Sequence, residues 1–245
     1  LLNGILPNGQ QLGVKNGDII HNRPGIDLTF SAPKSVSLLW QLGGDERLLH
    51  SHIEAVKQTL NIIEKECASA RIFKNGKSEI QSTDNLLFAL FHHDTSRALD
   101  PDMHTHAILM NMTERQDGKI RALASQSEYY GREKLGCVEH IFSRELHFGA
   151  IYRFILAELI RALGYEINIT HQDCRFEIVG VPRGMIECFS KRGNTIKFIM
   201  SENGLKGGKA AQLVTMQSRP DKEYVEPAVL HARWKLEAEG FDFEK

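Results

Sequence analysis

Cysteine is scarce in this chain: four residues, Cys67, Cys137, Cys174 and Cys188, with no two at CxxC spacing. That excludes a disulfide framework or a zinc knuckle and points to a reducing cytoplasm. No apolar run approaches the roughly 18 residues needed to cross a bilayer, and no secretory n-region is present, so no membrane partner is expected. Charge of either sign is hardly in excess. The net charge is −1 over 245 residues, which weakens the case for bulk electrostatic attraction to nucleic acid, so any such binding needs local positive patches. Aromatic residues make up only 8%, which gives modest support to base stacking. Repeats and low-complexity tracts are missing as well. The stretch Asn203 to Ala210, NGLKGGKA, brushes against a phosphate loop but has Asn where its first glycine belongs and Ala where its Mg²⁺-binding hydroxyl belongs, so nucleotide hydrolysis is rejected. The chain opens at Leu1 without methionine, directly into turn-rich sequence, and residue 1 is not expected to be the native start.

What is present is an ordinary globular composition, 42% hydrophobic and 25% charged, long enough for one large domain or two small ones. Its most informative stretch runs from Asn85 to Thr113, NLLFALFHHDTSRALDPDMHTHAILMNMT. Two apolar runs, LLFALF and AILMNM, flank a connection carrying Asp94, Asp100, Pro101 and Asp102, which predicts two antiparallel strands. His104 and His106 are one residue apart. A strand alternates faces with period two, so both rings project from one side, roughly 7 Å apart at Cα. A histidine from the neighbouring strand would complete a cluster of three imidazoles, and periodicity does not choose between His92 and His93. Such a cluster, with no cysteine nearby, makes a metal site with positions open to water or a substrate oxygen. The plainer reading is surface or hydrogen-bonded histidines at strand ends.

Residues 1 to 25 are rich in turn dipeptides and predict only short extended pieces. Ile26 to Ser31 alternates, with Ile26, Leu28 and Phe30 on one face and Asp27, Thr29 and Ser31 on the other. An aspartate on such a polar face is ordinarily just solvated. Ser31 and Pro33 read as the cap and first turn of a helix running to Gly43. Asp45 to Ser69 carries a helical stripe of Leu48, Leu49, His52, Ile53, Val56, Leu60 and Ile63. Arg71 to Gln81 around Asn75-Gly76 reads as a hairpin, and Lys119 to Ala124 as a further strand of the histidine-bearing sheet. Helical patterning dominates from Gly131 to Leu163, with Gly164 as its cap. Tyr165 to Thr170 and Arg175 to Val179 read as a strand pair, and Pro182 to Ser201 and Glu226 to Glu239 as helices. Residues 183 to 209 hold six basic side chains against two acidic ones, either a solvated helix face or a phosphate-tracking patch. Strands joined by hairpins and interleaved with helices predict an α+β fold rather than a doubly wound parallel sheet.

Two stretches, GIDLTFSAPKSVSLLW (Gly25 to Trp40) and HDTSRALDPDMHTHAILMN (His93 to Asn111), resemble the signature motifs of conjugative relaxases of the TrwC/TraI type. These are three-histidine HUH nucleases whose relaxase domain precedes a helicase. FHHDTSR and the HFGAIYR segment at Phe148 extend the resemblance through most of the chain, and the two motifs together are highly specific. The resemblance implies a central antiparallel sheet flanked by helices, a single relaxase domain over 1 to 245, and a helical part from 183 to 245 that clamps DNA. It implies a divalent metal ion (Mg, Mn or Zn) held by His93, His104 and His106. Asp27 would orient a ligand histidine or accept the nucleophile's proton, and Arg97, Lys34 and Arg153 would contact DNA. The partner would be single-stranded or hairpin DNA from a plasmid origin of transfer, nicked in one strand through a phosphotyrosine. Conjugation accessory proteins and a C-terminal helicase would accompany it in the bacterial cytoplasm, with passage into the recipient alongside the DNA.

The chain departs from that pattern at the nucleophile. Relaxase tyrosines lie before the GIDLTFS strand, whereas the tyrosines here are Tyr129, Tyr130, Tyr152, Tyr165 and Tyr224. The Tyr129-Tyr130 pair follows the histidine strands and reads as an ordinary helix-start or surface pair. The attacking tyrosine is therefore expected upstream of Leu1, and the chain as it stands is expected to bind DNA and metal without nicking. Two other classes are weighed: a catalytically silent module for single-stranded DNA, and a metal-dependent phosphodiesterase that uses an activated water.

Overall fold

The computed structural model describes residues 5–6, 8–11, 14–16, 19–21, 23–125, 135–218, 220–221 and 223–241. Tyr129 and Tyr130 lie outside the described residues. In chain order the described elements are β1 (Val14–Asn16), β2 (Ile19–His21), β3 (Gly25–Ser31), α1 (Lys34–Gln41), α2 (Glu46–Cys67), β4 (Ser69–Lys74), β5 (Lys77–Ser82), β6 (Phe88–Thr95), β7 (Pro101–Met110), β8 (Thr113–Glu114) and β9 (Ile120–Arg121). They continue with α3 (Cys137–Ser143), α4 (Glu145–Ala162), β10 (Ile167–Ile169), β11 (Phe176–Ile178), α5 (Arg183–Cys188), α6 (Lys191–Glu202), α7 (Gly208–Gln217) and α8 (Pro227–Ala238). This mixture of helices and antiparallel strands is the expected α+β class. No described helix is long and apolar enough to cross a membrane.

The histidine-bearing strands belong to a three-stranded sheet in the order β3-β7-β6. Asn111 N–H donates to the Pro24 carbonyl, and Ala32 N–H to that of Met103, so β3 and β7 run antiparallel. Met110 N–H donates to Leu87 and Ser96 N–H to Asp100, which sets β6 antiparallel to β7 in the same way. Glycine is required where β3 begins: a Cβ on Gly25 would stand 2.5 Å from the Leu109 carbonyl oxygen, closer than a side chain tolerates.

The chain divides into two compact units, one of residues 1–30, 54–91 and 105–155, the other of 31–53, 92–104 and 156–245. In the first, Leu6, Met110 and Met112 form one apolar cluster, and Phe30 lies on Tyr152 with ring centroids 5.3 Å apart. In the second, Leu38, Met185, Phe189, Leu230 and Trp234 form the buried cluster.

The helical stripe is as expected, with Leu48, His52, Val56, Leu60 and Ile63 all buried on α2. Asp45 caps that helix, its Oδ1 accepting from Arg47 N–H at 3.0 Å. The β4–β5 hairpin turns through Asn75 and Gly76 with φ of 51° and 72°, as two-residue hairpin turns demand. Other expectations need correction. Ser31 ends β3 instead of capping α1, whose cap position is Pro33 without a side-chain bond. Lys119 to Ala124 does not extend the histidine sheet: only Ile120 and Arg121 are strand, paired with β8 in a sheet of their own. The helix expected over Pro182 to Ser201 is two, broken at Phe189 and Ser190, because Phe189 is drawn into the core. The 131–163 pattern likewise breaks at Arg144. Finally, α7 begins inside the Asn203 to Ala210 stretch that was rejected as a phosphate loop.

Candidate metal and DNA site

Along β7, residues Pro101 to Ile108 alternate between buried and half-buried, and Asp102, His104 and His106 share the half-buried face. That is the period-two alternation expected of the histidine pair. The buried partners on the opposite face include Met103, Thr105 and Ala107.

In the first unit, His106 is held from β3. Its Nδ1 lies 2.8 Å from Asp27 Oδ2 and 3.0 Å from Oδ1. A carboxylate only accepts, so Nδ1 carries the proton and the lone pair of the neutral ring sits on Nε2. Thr29 Oγ1 stands 3.1 Å from the same nitrogen. Asp27 thus holds a histidine ring nitrogen by hydrogen bond from the neighbouring strand.

In the second unit, the His93 and His104 rings stack, with centroids 5.2 Å apart and planes 17° from parallel. Of the two histidines that periodicity left open, His93 is the one stacked on His104. His104 Nδ1 donates to the Asp102 carbonyl at 2.9 Å, and Asp102 Oδ2 lies 3.4 Å from the same nitrogen. Again the acceptor is an oxygen, and the lone pair falls on Nε2. His52 is buried within this unit. Burial pushes its pKa down to about 3, and His92 and His104 push the same way, so it is a neutral core imidazole at physiological pH. Among the described residues, no three or more His, Cys, Asp or Glu side chains are already gathered in ligand geometry.

The connection between β6 and β7 is tightly made. Ser96 Oγ accepts from the N–H groups of Ala98 and Asp100. Leu99 sits at φ 60°, a left-handed conformation rare outside glycine, and its carbonyl accepts from Trp234 Nε1 at 2.7 Å. Asp100 is only 1% exposed. Its Oδ2 accepts from Lys191 N–H at 2.8 Å. Its Oδ1 lies 3.2 Å from Lys191 Nζ, an ion pair without hydrogen-bond alignment. Burial raises the Asp100 pKa, with Lys191 opposing. Lys191 also donates to Glu237 at 2.7 Å, tying α6 and α8 to the loop.

Of the residues expected on DNA, Arg97 is exposed and donates to the Pro220 carbonyl at 3.2 Å. Arg153 lies back along α4, a guanidinium nitrogen 3.3 Å from where Gly149 would bear a Cβ. Lys34 is 15% exposed and donates to the Pro101 carbonyl at 2.6 Å. Three basic residues of the 183 to 209 stretch are engaged internally: Arg183 with Glu187, Lys191 as above, and Arg192 with the carbonyls of Ser218 and Thr215. A cavity of about 480 Å³ in the second unit is lined by His93, Thr95, Tyr224, His231 and Trp234 among others. Of the described tyrosines, Tyr152 is buried and Tyr165 donates to Asp45 at 2.7 Å.

Thr29 and Asp102 were not singled out from sequence, although both lie two residues from a singled-out residue on the same strand face. Ser37 was missed too: its Oγ accepts from Met103 N–H at 3.0 Å, anchoring α1 beside His104.

Comparison with known proteins places the chain in a family. A family model described as TrwC relaxase matches residues 1–241. The multifunctional conjugation protein TraI of Escherichia coli (strain K12) is 38% identical over 244 residues, 99% of this chain. The chain spans only 13% of that relative's length. A structure of TrwC complexed with a 27-mer DNA comprising the recognition hairpin and the cleavage site superposes with a TM-score of 0.86 at 34% identity, covering 99% of this chain and 84% of that one. A metal-bound structure of the conjugative relaxase TrwC in complex with oriT DNA gives 0.85 at 35% identity, covering 99% and 81%.

Proposed function

Because the chain belongs to the TrwC relaxase family, we propose that it is the metal-binding core of a conjugative relaxase, nicking one strand of DNA at a plasmid origin of transfer. The observation that carries the reading is the carboxylate of Asp27 on Nδ1 of His106. An imidazole whose Nδ1 proton is held by an acceptor is fixed in ring orientation and tautomer, as metal-ligating histidines are. His104 has the same arrangement through the Asp102 carbonyl. With His93, these residues are proposed to hold a divalent metal ion through neutral imidazole nitrogens, a donor set that suits Zn²⁺ and other transition ions.

When bound, such a cation supplies positive charge to the non-bridging oxygens of the scissile phosphate, undiminished by carboxylate ligands. The residues around it orient and exclude. Asp27 and Asp102 fix the imidazoles, and the network of Asp100, Lys191 and Glu237 fixes the loop between their strands. Arg97 and Arg153 are assigned to DNA phosphates, which their guanidinium groups hold without reading sequence. The cavity beside His93 is assigned to a base of the bound strand, with the helices from α5 to α8 clamping over it.

The reaction assigned is a transesterification. A tyrosine oxygen bonds to phosphorus as the deoxyribose oxygen leaves, and the phenolic proton is balanced by one taken up on the departing oxygen. The phosphotyrosine conserves the bond for rejoining. Tyr152 and Tyr165, committed to the core and to Asp45, are not assigned the attack. The test is strand cleavage of an origin oligonucleotide by the parent protein with all its natural flanking sequence. Covalently attached DNA that disappears in His104→Ala supports the reading. Hydrolysis leaving no attached protein assigns a water-activating phosphodiesterase instead, and binding without cleavage a silent module.

A further inference from the structure

Lys34 opens α1, directly after Pro33, where a helix presents the positive end of its dipole and a cation is locally disfavoured. Something must offset that cost, and the second unit shows what. The ammonium donates to the Pro101 carbonyl at 2.6 Å and lies 3.6 Å from Asp102 Oδ1. The other oxygen of that carboxylate, Oδ2, lies 3.4 Å from His104 Nδ1, while the Asp102 carbonyl accepts from that nitrogen at 2.9 Å. Lys34, Asp102 and His104 therefore form one chain of contacts, with side chains 15%, 28% and 14% exposed. The helix that delivers Lys34 is itself pinned. Ser37 Oγ accepts from Met103 N–H, and Ser35 Oγ from Ile178 N–H at 2.8 Å.

We propose that Lys34 is a positioning residue for His104, acting through Asp102, and not a contact to DNA phosphate. Its ammonium holds the backbone at Pro101 and draws the Asp102 carboxylate to one side. Both oxygens that face His104 Nδ1 are thereby fixed, and the ring is set before any ligand arrives. Lys34 also neutralises the Asp102 carboxylate beside a site that must admit a polyanion, so it offsets the repulsion Asp102 would exert. This assignment rests on the metal-site reading above, and its test separates the two.

Three measurements on the full chain decide it: the His104 tautomer by long-range ¹⁵N–¹H NMR without metal, Zn²⁺ affinity by competition with a chromophoric chelator, and the salt dependence of binding to an origin oligonucleotide. In Lys34→Met the proton is expected to redistribute between Nδ1 and Nε2 of His104, and Zn²⁺ affinity to fall about tenfold, as for other groups behind metal ligands. The slope of log affinity against log salt is expected to stay unchanged. Asp102→Asn, which keeps the backbone carbonyl, should weaken Zn²⁺ binding similarly, and the double variant should lose little more than either single one. An unchanged tautomer and unchanged Zn²⁺ affinity in Lys34→Met overturn the proposal, and a salt slope reduced by about one would then make Lys34 a phosphate contact. Additive losses in the double variant overturn the route through Asp102. If the unaltered chain binds no Zn²⁺, the metal reading fails, and the metal-free tautomer still decides the role of Lys34. Should Lys34→Met not fold, Asp102→Asn carries the same tautomer and affinity tests.

Discussion

Replacing Lys191 by methionine removes the cation ion-paired with Asp100, a carboxylate that is 1% exposed at the head of β7. Breaking a buried pair on one side typically costs about 3–5 kcal/mol, but the ammonium here is 36% exposed, so solvent screening discounts the loss to about 2 kcal/mol at neutral pH. The pH dependence has a definite sign. Burial raises the Asp100 pKa in the fold, and removing Lys191, which opposes that rise, raises it further. A carboxyl with a raised folded pKa favours the fold below its unfolded pKa and loses that contribution as pH climbs through the folded value. Glu237 adds the same sign. Its burial is outweighed by Lys191 and Arg233, which lower its pKa, and losing Lys191 removes stability present only while Glu237 is charged. Lys191→Met should therefore lie about 2 kcal/mol below wild type at pH 7 and within about 1 kcal/mol of it at pH 4. Urea unfolding followed by tryptophan fluorescence suits the measurement, since Trp234 shares α8 with Glu237 and donates to Leu99 in the affected loop. A deficit that is constant with pH, or larger at pH 4, would refute the reasoning.

Three further outcomes are expected. Asp27→Ala should lower divalent-metal affinity about tenfold while leaving the thermal midpoint nearly unmoved, because both partners are partly exposed; calorimetric titration measures it, and unchanged affinity would count against the orienting role. Gly25→Ala forces a Cβ to within 2.5 Å of the Leu109 carbonyl, so β3 must shift from β7, at a cost of about 2 kcal/mol or more in chemical denaturation. Arg97→Ala and Arg153→Ala should each weaken origin-oligonucleotide binding and reduce the salt slope by about one, and binding curves identical to wild type at matched salt would reject both assignments.

Much of the site is local in sequence and so was legible. The alternation of β3 puts Asp27 on the solvent-facing side and Phe30 in the core, and the one-residue spacing of His104 and His106 gives them a common face by strand geometry alone. Asp102 and Thr29 obey the same arithmetic. Nothing local, however, says that an aspartate two residues before a histidine will turn its own carbonyl toward the ring. Long-range partners leave no such trace. Asp100 finds Lys191, and Lys191 in turn Glu237, far along the chain, and Lys34 meets residues 101 and 102 only because α1 is pinned by Ser35 and Ser37. The helix breaks were missed for a related reason: Phe189 fits a continuous helical pattern, yet its burial with Leu38 and Trp234 interrupts the helix there.

The central claim is that His93, His104 and His106 are brought to one ion, with Asp27 behind the last of them. Anomalous diffraction from crystals of the chain grown with Zn²⁺ and an origin hairpin oligonucleotide tests it most directly. The account predicts a single strong peak about 2.0–2.1 Å from one nitrogen of each of the three imidazoles, with Asp27 still on Nδ1 of His106. A peak on other side chains, or none with the three rings turned apart at saturating Zn²⁺, would contradict it.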